Sequence, residues 1–463
     1  MKQILEREAK WEVTDKFVLP ALDTVGSVES HRTVELTSQY FDTADRDLQA
    51  HGLLLRRRDG DDESGWQLKM PADDGRVELH WTLSDTVPGE VTELLTGFSL
   101  GKELAPVATI RTKRDRYQLA HAELADDRVQ ALIGDRSVKW REIEVELGPE
   151  ADALPRRLVK LLEKAGAKPS RYPSKLSRAL PPPPTLTPGG PGGTGVFARY
   201  LHAQIDDVFA GDLGLRRGQD PIHDTRVAIR RLRSTLRVFG KLLDTDAVGD
   251  IDGELKWFAG LLGEVRDCQV QRRRFDTALA DLPSELVLGP VAGRIDNDLQ
   301  GIELRARQVV TEETNSARYL DLLAILQRWR TDLPVTGHLS AKALRKRADR
   351  AAAKADSRLL TALDNDDDSD LHRARKAAKR ARYAAELLTP IDPGTTRTVK
   401  HYKKIQTVLG DHQDSVVAAE TLRRLGAVAG TTPGENGFTF GLLYQSEQQA
   451  ARRARDQAAV LHA

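Results

Sequence analysis

The sequence predicts two domains of different class, an antiparallel β-barrel enclosing a polar tunnel followed by an all-α bundle built from a duplicated unit. Three observations carry this. Short alternating segments fill the first part of the 463-residue chain. Long Ala-, Leu- and Arg-rich stretches fill the second, and a Pro/Gly-rich run, "PPPPTLTPGGPGGTG" from Pro181 to Gly195, separates them. Proline stiffens and glycine loosens such a run, and neither fills a core, so residues 181–195 read as a linker between domains 1–180 and 196–463.

In the first domain, "TVELTSQYFDT", "LLLRRRDG", "GWQLKMP", "GRVELHWTL", "RDRYQLA" and "WREIEVEL" alternate with period two and are punctuated by glycine, aspartate and proline. "LPRRLVKLLEKA" from Leu154 is the one clear helix among them. The opening "LEREAK" is ambiguous by itself. Its residues are good helix formers, yet Glu6, Glu8 and Lys10 at every second position would share one face of a strand. Glu142, Glu144 and Glu146 repeat that spacing, as do Arg56 and Arg58. An exposed edge strand kept soluble by glutamates is the alternative for "EIEVEL", and external salt bridges are the alternative for each arginine. Strands with charge on the inward face cannot line an oily core, but they can line a polar tunnel in a closed barrel.

The second domain repeats itself. "HDTRVAIRRLRSTLRVF" begins at His223 and "HRARKAAKRARYAAELL" at His372. Each is followed by a second shared element, "LGEVRDCQV" from Leu262 and "LGDHQDSVV" from Leu409. Two ordered elements recurring together indicate duplication, with halves at about 196–335 and 336–463. His223, Arg226, Arg230, Arg233 and Arg237 fall within an arc of about 80° at roughly 100° per residue. His372, Arg375, Lys379 and Arg382 repeat the first four offsets, and Glu386 ends the second stripe early. A solvated helix face usually mixes charges of both signs, whereas these stripes are nearly all positive, which favours an anion partner. Scarce aromatics and the lack of a recognition-helix or zinc-finger signature argue against nucleic acid. The histidines sit among cations that would repel a metal, so donation to phosphate is the better role.

Charge and cysteine bound the remaining classes. Net charge is +1, but residues 1–195 hold 28 basic and 32 acidic side chains, leaving the remainder basic. The single cysteine, Cys268, excludes an intramolecular disulfide framework and a multi-cysteine metal site. With no bilayer-length apolar run and no signal-peptide pattern, the expected location is cytoplasmic, with no membrane partner.

Residues from about 196 onward resemble the CHAD family, the conserved histidine α-helical domains, on the His-centred basic helices and the two "LGxxxD" elements. That resemblance implies a duplicated helical fold and binding of inorganic polyphosphate along both stripes. It leaves Asp267 and Asp414 to orient neighbouring arginines. The first 180 residues resemble the CYTH domains of the triphosphate tunnel metalloenzymes. The ExExK of Glu6, Glu8 and Lys10 is followed in family order by Arg56 and Arg58, Lys69, Arg76 with Glu78, "RTKRDRY", "EIEVEL" and "SKLSRAL".

This second resemblance implies a metal-dependent hydrolase of a triphosphate, either inorganic triphosphate or a nucleoside triphosphate. Glu6, Glu8, Glu142, Glu144 and Glu146 would hold Mg²⁺ or Mn²⁺, which favour oxygen ligands. Lys10, Arg56, Arg58, Lys69, Arg76, Arg114, Arg116 and Lys175 would bind the triphosphate. Lys10, Arg56 and Glu78 form the expected catalytic set, with Glu78 or a metal-activated hydroxide engaging water. Arg111 and Arg114, three residues apart, cannot share a strand face without a bulge. Asp127 stands near a recurrent family aspartate, with its register left open by the doubled Asp126–Asp127. A non-catalytic polyphosphate-binding protein and an adenylyl cyclase are the alternatives.

Overall fold

The structure is a computed structural model that describes residues 2–60, 64–72, 74–148, 154–183, 192–365 and 367–462. Two compact units emerge, Met1–Thr185 and Leu186–Ala463. Most of the Pro/Gly-rich run, residues 184–191, lies outside the described residues, and its last three residues already belong to a helix that starts at Gly193.

Alternation becomes pleated strand throughout the first unit. In chain order it forms β1 (Lys2–Glu6), β2 (Glu8–Val13), β3 (Val28–Asp42), α1 (Asp47–Ala50), β4 (Leu54–Asp59), β5 (Gly65–Ala72), β6 (Gly75–Trp81) and α2 (Gly89–Ser99). Then follow β7 (Ala105–Leu119), β8 (Ala122–Ile133), β9 (Arg136–Leu147), α3 (Arg156–Lys164), β10 (Lys168–Pro169) and α4 (Lys175–Ala179). The strands make one antiparallel sheet in the order β1-β6-β5-β4-β3-β7-β8-β9-β2-β10.

The expected closed barrel is corrected here, because the hydrogen-bonded ladder is open. β1, at one end, pairs with β6, and β2, followed only by the two-residue β10 at the other end, pairs with β9. β1 and β2 are consecutive in the chain, separated by Arg7 alone. One short stretch cannot pair with itself, so the ends are joined covalently instead. The Arg7 carbonyl accepts the Leu147 amide at 2.8 Å, which carries the β9 ladder up to the joint. Gly75 (φ 117°) makes the turn into β6, where an added Cβ would lie 2.3 Å from the Glu6 carbonyl oxygen.

The same period separates core from tunnel. Ile143 and Val145 turn outward on β9 and pack with Trp11, Leu124, Leu158 and Leu162, so α3 covers that face. Glu142, Glu144 and Glu146 therefore turn inward. Leu176 and Ala179 seat α4 on a cluster containing Tyr40, Ile110 and Trp140. A reciprocal Ser174–Ser177 cap fixes its first turn and sends Lys175 toward the carboxylates.

The second unit is helical: α5 (Gly193–Arg216), α6 (Ile222–Phe239), α7 (Thr245–Val248), α8 (Ile251–Ala280), α9 (Val291–Glu313), α10 (Ala317–Arg328), α11 (Ala341–Asp364), α12 (Asp368–Leu388), α13 (Thr395–Ala429) and α14 (Phe438–His462). The His-centred stretches are α6 and α12, which pack together, and the "LGxxxD" elements lie within α8 and α13. Alanines on α12 pack with Leu359, Tyr402 and Leu409. Leu299, Leu422, Leu425 and Phe440 build a separate core around α9, α13 and α14. No helix among the described residues is long and apolar enough to cross a membrane.

Candidate active site and anion-binding cleft

Strand register assembles the tunnel. Glu8 stands opposite Glu146, Lys10 opposite Glu144, Asp127 opposite Glu142, and Arg114 opposite Asp127. On the other wall Glu6 faces Arg76, Lys69 faces Glu78, and Arg56 faces Gln67. These rows enclose a cavity of about 280 Å³. Glu6, Glu8, Glu78, Glu144 and Glu146 line it together with Lys10, Arg56, Arg58, Lys69, Arg76, Arg114 and Lys175.

Two expected residues do not reach that lining. Glu142 is buried behind it and accepts the Trp140 indole N–H at 2.6 Å. Arg116 donates to both oxygens of Glu123 at 2.9 and 2.7 Å. Arg111 is exposed while Arg114 points inward, as an odd spacing requires where no bulge lies between the two. The aspartate register is also resolved. Asp127 faces the tunnel, and Asp126 turns away to pair with Arg141 at 2.6 Å. Tyr40, His80 and Ser174 join the lining without having been expected there.

Every tunnel carboxylate named below has a cation within reach. Lys69 Nζ sits 2.6 Å from both Glu6 oxygens, and Glu78 contacts Arg56 at 3.4 Å and Lys69 at 3.5 Å. Lys10 bridges Glu8, at 2.7 Å, and Glu144. Arg114 grips Asp127 with two bonds, 2.8 and 2.7 Å, and also reaches Glu144. Lys175 lies among Asp127, Glu142 and Glu144 at 2.8, 2.9 and 2.6 Å.

Burial opposes ionisation of Glu144, but Lys10, Lys175 and Arg114 outweigh it and hold the carboxyl well below the usual range. Asp127 is lowered in the same way: burial opposes, and Arg114 with Lys175 prevails. Burial also opposes the charge on Lys175, yet its three carboxylates raise its pKa. Glu78 is lowered against burial by Lys69, His80 and Arg56, which leaves it ionised and weakly basic.

The donor chemistry fits a small divalent cation. Asp127, Glu142 and Glu144 present ligand oxygens within 4.8 Å of one another, and Glu6, Glu8 and Glu146 add further carboxylates to the lining. All are oxygen donors, the set that Mg²⁺ and Mn²⁺ prefer. The Lys175 ammonium itself occupies the first group, and Glu6, Glu8, Glu78, Glu144 and Glu146 are the carboxylates that face the cavity.

The helical unit presents a different site. A cleft of about 430 Å³ is lined by Arg230, Arg233 and Arg237 of α6, Lys256 of α8, and Lys376, Lys379 and Arg380 of α12, with Tyr383 beside them. Arg233 and Arg237 share Asp252, at 3.0 and 2.6 Å. Burial, then Arg375 and Arg230, push the Lys379 ammonium down to about 7.

The "LGxxxD" element now has a physical reading. Arg226 donates to the Gly263 carbonyl at 3.0 Å and to Asp267 at 3.3 Å, and Arg375 lies 3.9 Å from Asp414. A Cβ on Gly263 or Gly410 would stand 3.3 or 3.2 Å from the arginine Nη2 of its own repeat. Glycine makes room for the guanidinium, and aspartate holds it.

Other expected anion ligands lie outside the cleft. His223 is exposed, and His372 lines no part of it. Arg382 is tied to Glu386 at 2.8 Å and to Gln406 at 3.0 Å. Lys256, Lys376 and Arg380 were not expected there. The i,i+4 spacing of Lys376 and Arg380 in "RKAAKRAR" was a visible signal for two of them.

Two domain models match the chain, a CYTH domain over residues 5–179 and a CHAD domain over 199–423. Two uncharacterized proteins of Mycobacterium tuberculosis, from strains CDC 1551 / Oshkosh and ATCC 25618 / H37Rv, are each 34% identical over 495 residues. The match covers 98% of this chain and 94% of theirs. Among solved structures, PptA from Streptomyces chartreusis is 24% identical with a TM-score of 0.49, over 58% of this chain and 99% of that one. The CHAD domain from the plant Ricinus communis is 24% identical with a TM-score of 0.41, over 57% and 86%. The N-terminal sheet domain is thus a triphosphate-tunnel domain, and the chain belongs to the family of proteins that join a CYTH domain to a CHAD domain in that order.

Proposed function

We propose that the N-terminal domain hydrolyses inorganic triphosphate with Mg²⁺ or Mn²⁺, and that the helical domain holds inorganic polyphosphate in the cytoplasm or on polyphosphate granules. The observation that carries the first half is the composition of the tunnel. Seven cationic side chains and five glutamates line one small cavity, and Tyr40, Ile4 and Leu54 are its larger apolar or aromatic groups. Cations alone suffice to hold phosphate. The added carboxylates are explained by a divalent metal, which would be held by Glu6, Glu8, Glu144 and Glu146 and would neutralise phosphoryl charge.

Lys10, Arg56, Arg58, Lys69, Arg76 and Arg114 clamp the chain of phosphates. Water attacks the terminal phosphorus, the bond from that phosphorus to the bridging oxygen breaks, pyrophosphate leaves with the bonding pair, and the water's proton passes to a phosphoryl oxygen of the new orthophosphate. Arg56 and Lys10 stabilise charge on the transferring and departing oxygens. Glu78 orients Arg56 and Lys69, because a carboxyl held this far down is a poor proton acceptor.

Purified protein incubated with inorganic triphosphate, ATP and thiamine triphosphate under Mg²⁺ or Mn²⁺ tests the reading. Phosphate release from inorganic triphosphate supports it. Cyclic AMP from ATP points to a cyclase, and the absence of any product leaves only a binding protein. Glu6→Gln should lower turnover by about 100-fold or more, the usual effect of losing one electrostatic element of such a site. Full activity in that variant overturns the assignment.

A further inference from the structure

The two halves of the helical domain share a sequence register but not a charge pattern. With His223 set against His372, Arg230 corresponds to Lys379, and both line the cationic cleft. On one side of that centre the pattern stays basic. Arg237 and Lys376 lie in the cleft, while their counterparts in the other half are Glu386 and Val227.

Glu386 closes its side by pairing inward. It lies 2.8 Å from Arg382, 3.2 Å from Arg231 and 3.4 Å from the Tyr200 hydroxyl. Arg231 and Arg382 both stack on the Tyr383 ring, 5.6 and 5.3 Å from its centroid. One carboxylate thus ties down two guanidinium groups beside Tyr383 of the cleft and halves their net charge.

The open side continues. Arg237 and Arg380 also line a second cavity of about 170 Å³, shared with Arg347, Arg350 and Lys354 of α11. Arg350 and Lys354 are exposed. α5 and α11 are both 24 residues long. When they are aligned from their first residues, Arg350 and Lys354 correspond to His202 and Asp206. Asp206 is itself paired with Arg330. Basic residues on one side thus correspond to Glu386, Val227, His202 and Asp206 on the other, none of them a lysine or arginine.

Given the polyphosphate reading above, on which this rests, we propose that the domain holds one polyphosphate chain on one side only. The chain runs from Arg230 and Lys379 past Arg237 and Arg380 onto Arg350 and Lys354, and Glu386 stops it at the opposite end. A linear polyanion suits this track, because cations follow one another along it and Tyr383 is the one aromatic ring in either lining.

The test is binding of long-chain sodium polyphosphate to the full-length protein at several salt concentrations, with the tunnel contributing equally to every variant. Arg350→Ala with Lys354→Ala should weaken binding about tenfold and make the salt slope shallower by about 1.4, the loss of two phosphate contacts on a single-stranded polyanion. Glu386→Gln should release Arg231 and Arg382 and tighten binding several-fold. An α11 variant that binds like the wild type overturns the track, and weaker binding by folded Glu386→Gln overturns the stop. Because Arg350 and Lys354 are exposed, the first variant remains informative even if Glu386→Gln fails to fold. Competition by polyuridylate at equal charge overturns polyphosphate as the occupant. A wild type that binds no polyphosphate fails the underlying reading rather than the track.

Discussion

The tunnel and the helical cleft both gather cations, and they handle the resulting repulsion in opposite ways. In the tunnel, Lys10, Lys69, Arg114 and Lys175 each lie within ion-pair distance of a carboxylate. In the cleft, seven cations line one space, Asp252 pairs with only two of the seven, and Lys379 is pushed far below an ordinary lysine. A paired site is stable before its ligand arrives and can place metal-binding carboxylates beside phosphate-binding cations. An under-neutralised site gains most of its relief from the ligand, which suits binding without chemistry.

Breaking the pairing should produce the largest effect. Glu144→Ala leaves Lys10, Lys175 and Arg114 sharing too few buried carboxylates. Removing one partner of a buried network costs about 3–5 kcal/mol, so urea denaturation of the N-terminal domain should show a loss of that size. A shift below about 1 kcal/mol, the range of an exposed pair, would mean the network is solvated and the contrast false.

That network also marks the limit of what the sequence made legible. Period-two spacing revealed which faces of β2, β4 and β9 are charged, and the His-centred repeat revealed the helical duplication. Partner choice was hidden. Lys175 reads as a phosphate ligand in "SKLSRAL", and only the seat of α4 on Leu176 and Ala179 carries it among Asp127, Glu142 and Glu144. The open ladder was equally invisible, since nothing in "LEREAK" marks Arg7 as the joint between two strands. Arg347, Arg350 and Lys354 resemble a solvated helix face until α11 is set beside α12. Local period is written in the chain, whereas the pairing of distant charges depends on tertiary packing.

Gly410→Ala sharpens the comparison in the other direction. Alanine inside α13 should stabilise the helix by up to about 1 kcal/mol. Its Cβ would stand 3.2 Å from Arg375 Nη2 and displace the guanidinium. The expected variant is a more stable protein with modestly weaker polyphosphate affinity, because Arg375 adds its charge beside Arg230 and Lys379 of the cleft. Denaturation and binding measured on the same sample should move in opposite senses. If affinity holds while stability rises, the glycine serves helix packing and not arginine placement.

The smallest effect concerns pH, and the two sites should separate cleanly. In the tunnel Glu144 is lowered and Lys175 raised, so both stay charged through neutral pH. The Glu144 contribution to stability is lost in acid, as pH falls through its lowered value, and the Lys175 contribution only in strong alkali, as pH rises through its raised one. Lys379 behaves oppositely. Its ammonium titrates at about 7 when folded against 10.5 ordinarily, because of burial and then Arg375 and Arg230, with Asp414 opposing and Arg226 adding repulsion. Between those values the unfolded chain binds the extra proton, so the helical domain gains stability as pH rises. An anion in the cleft must restore that proton, so polyphosphate affinity should fall about fivefold from pH 7 to pH 8, the linkage of one proton. Lys379→Arg keeps its charge across this range and should flatten the decline while leaving triphosphate binding in the tunnel unchanged. A wild-type affinity that is already flat over that unit of pH would show that Lys379 carries its proton throughout, and the cleft would then be better neutralised than its side chains indicate.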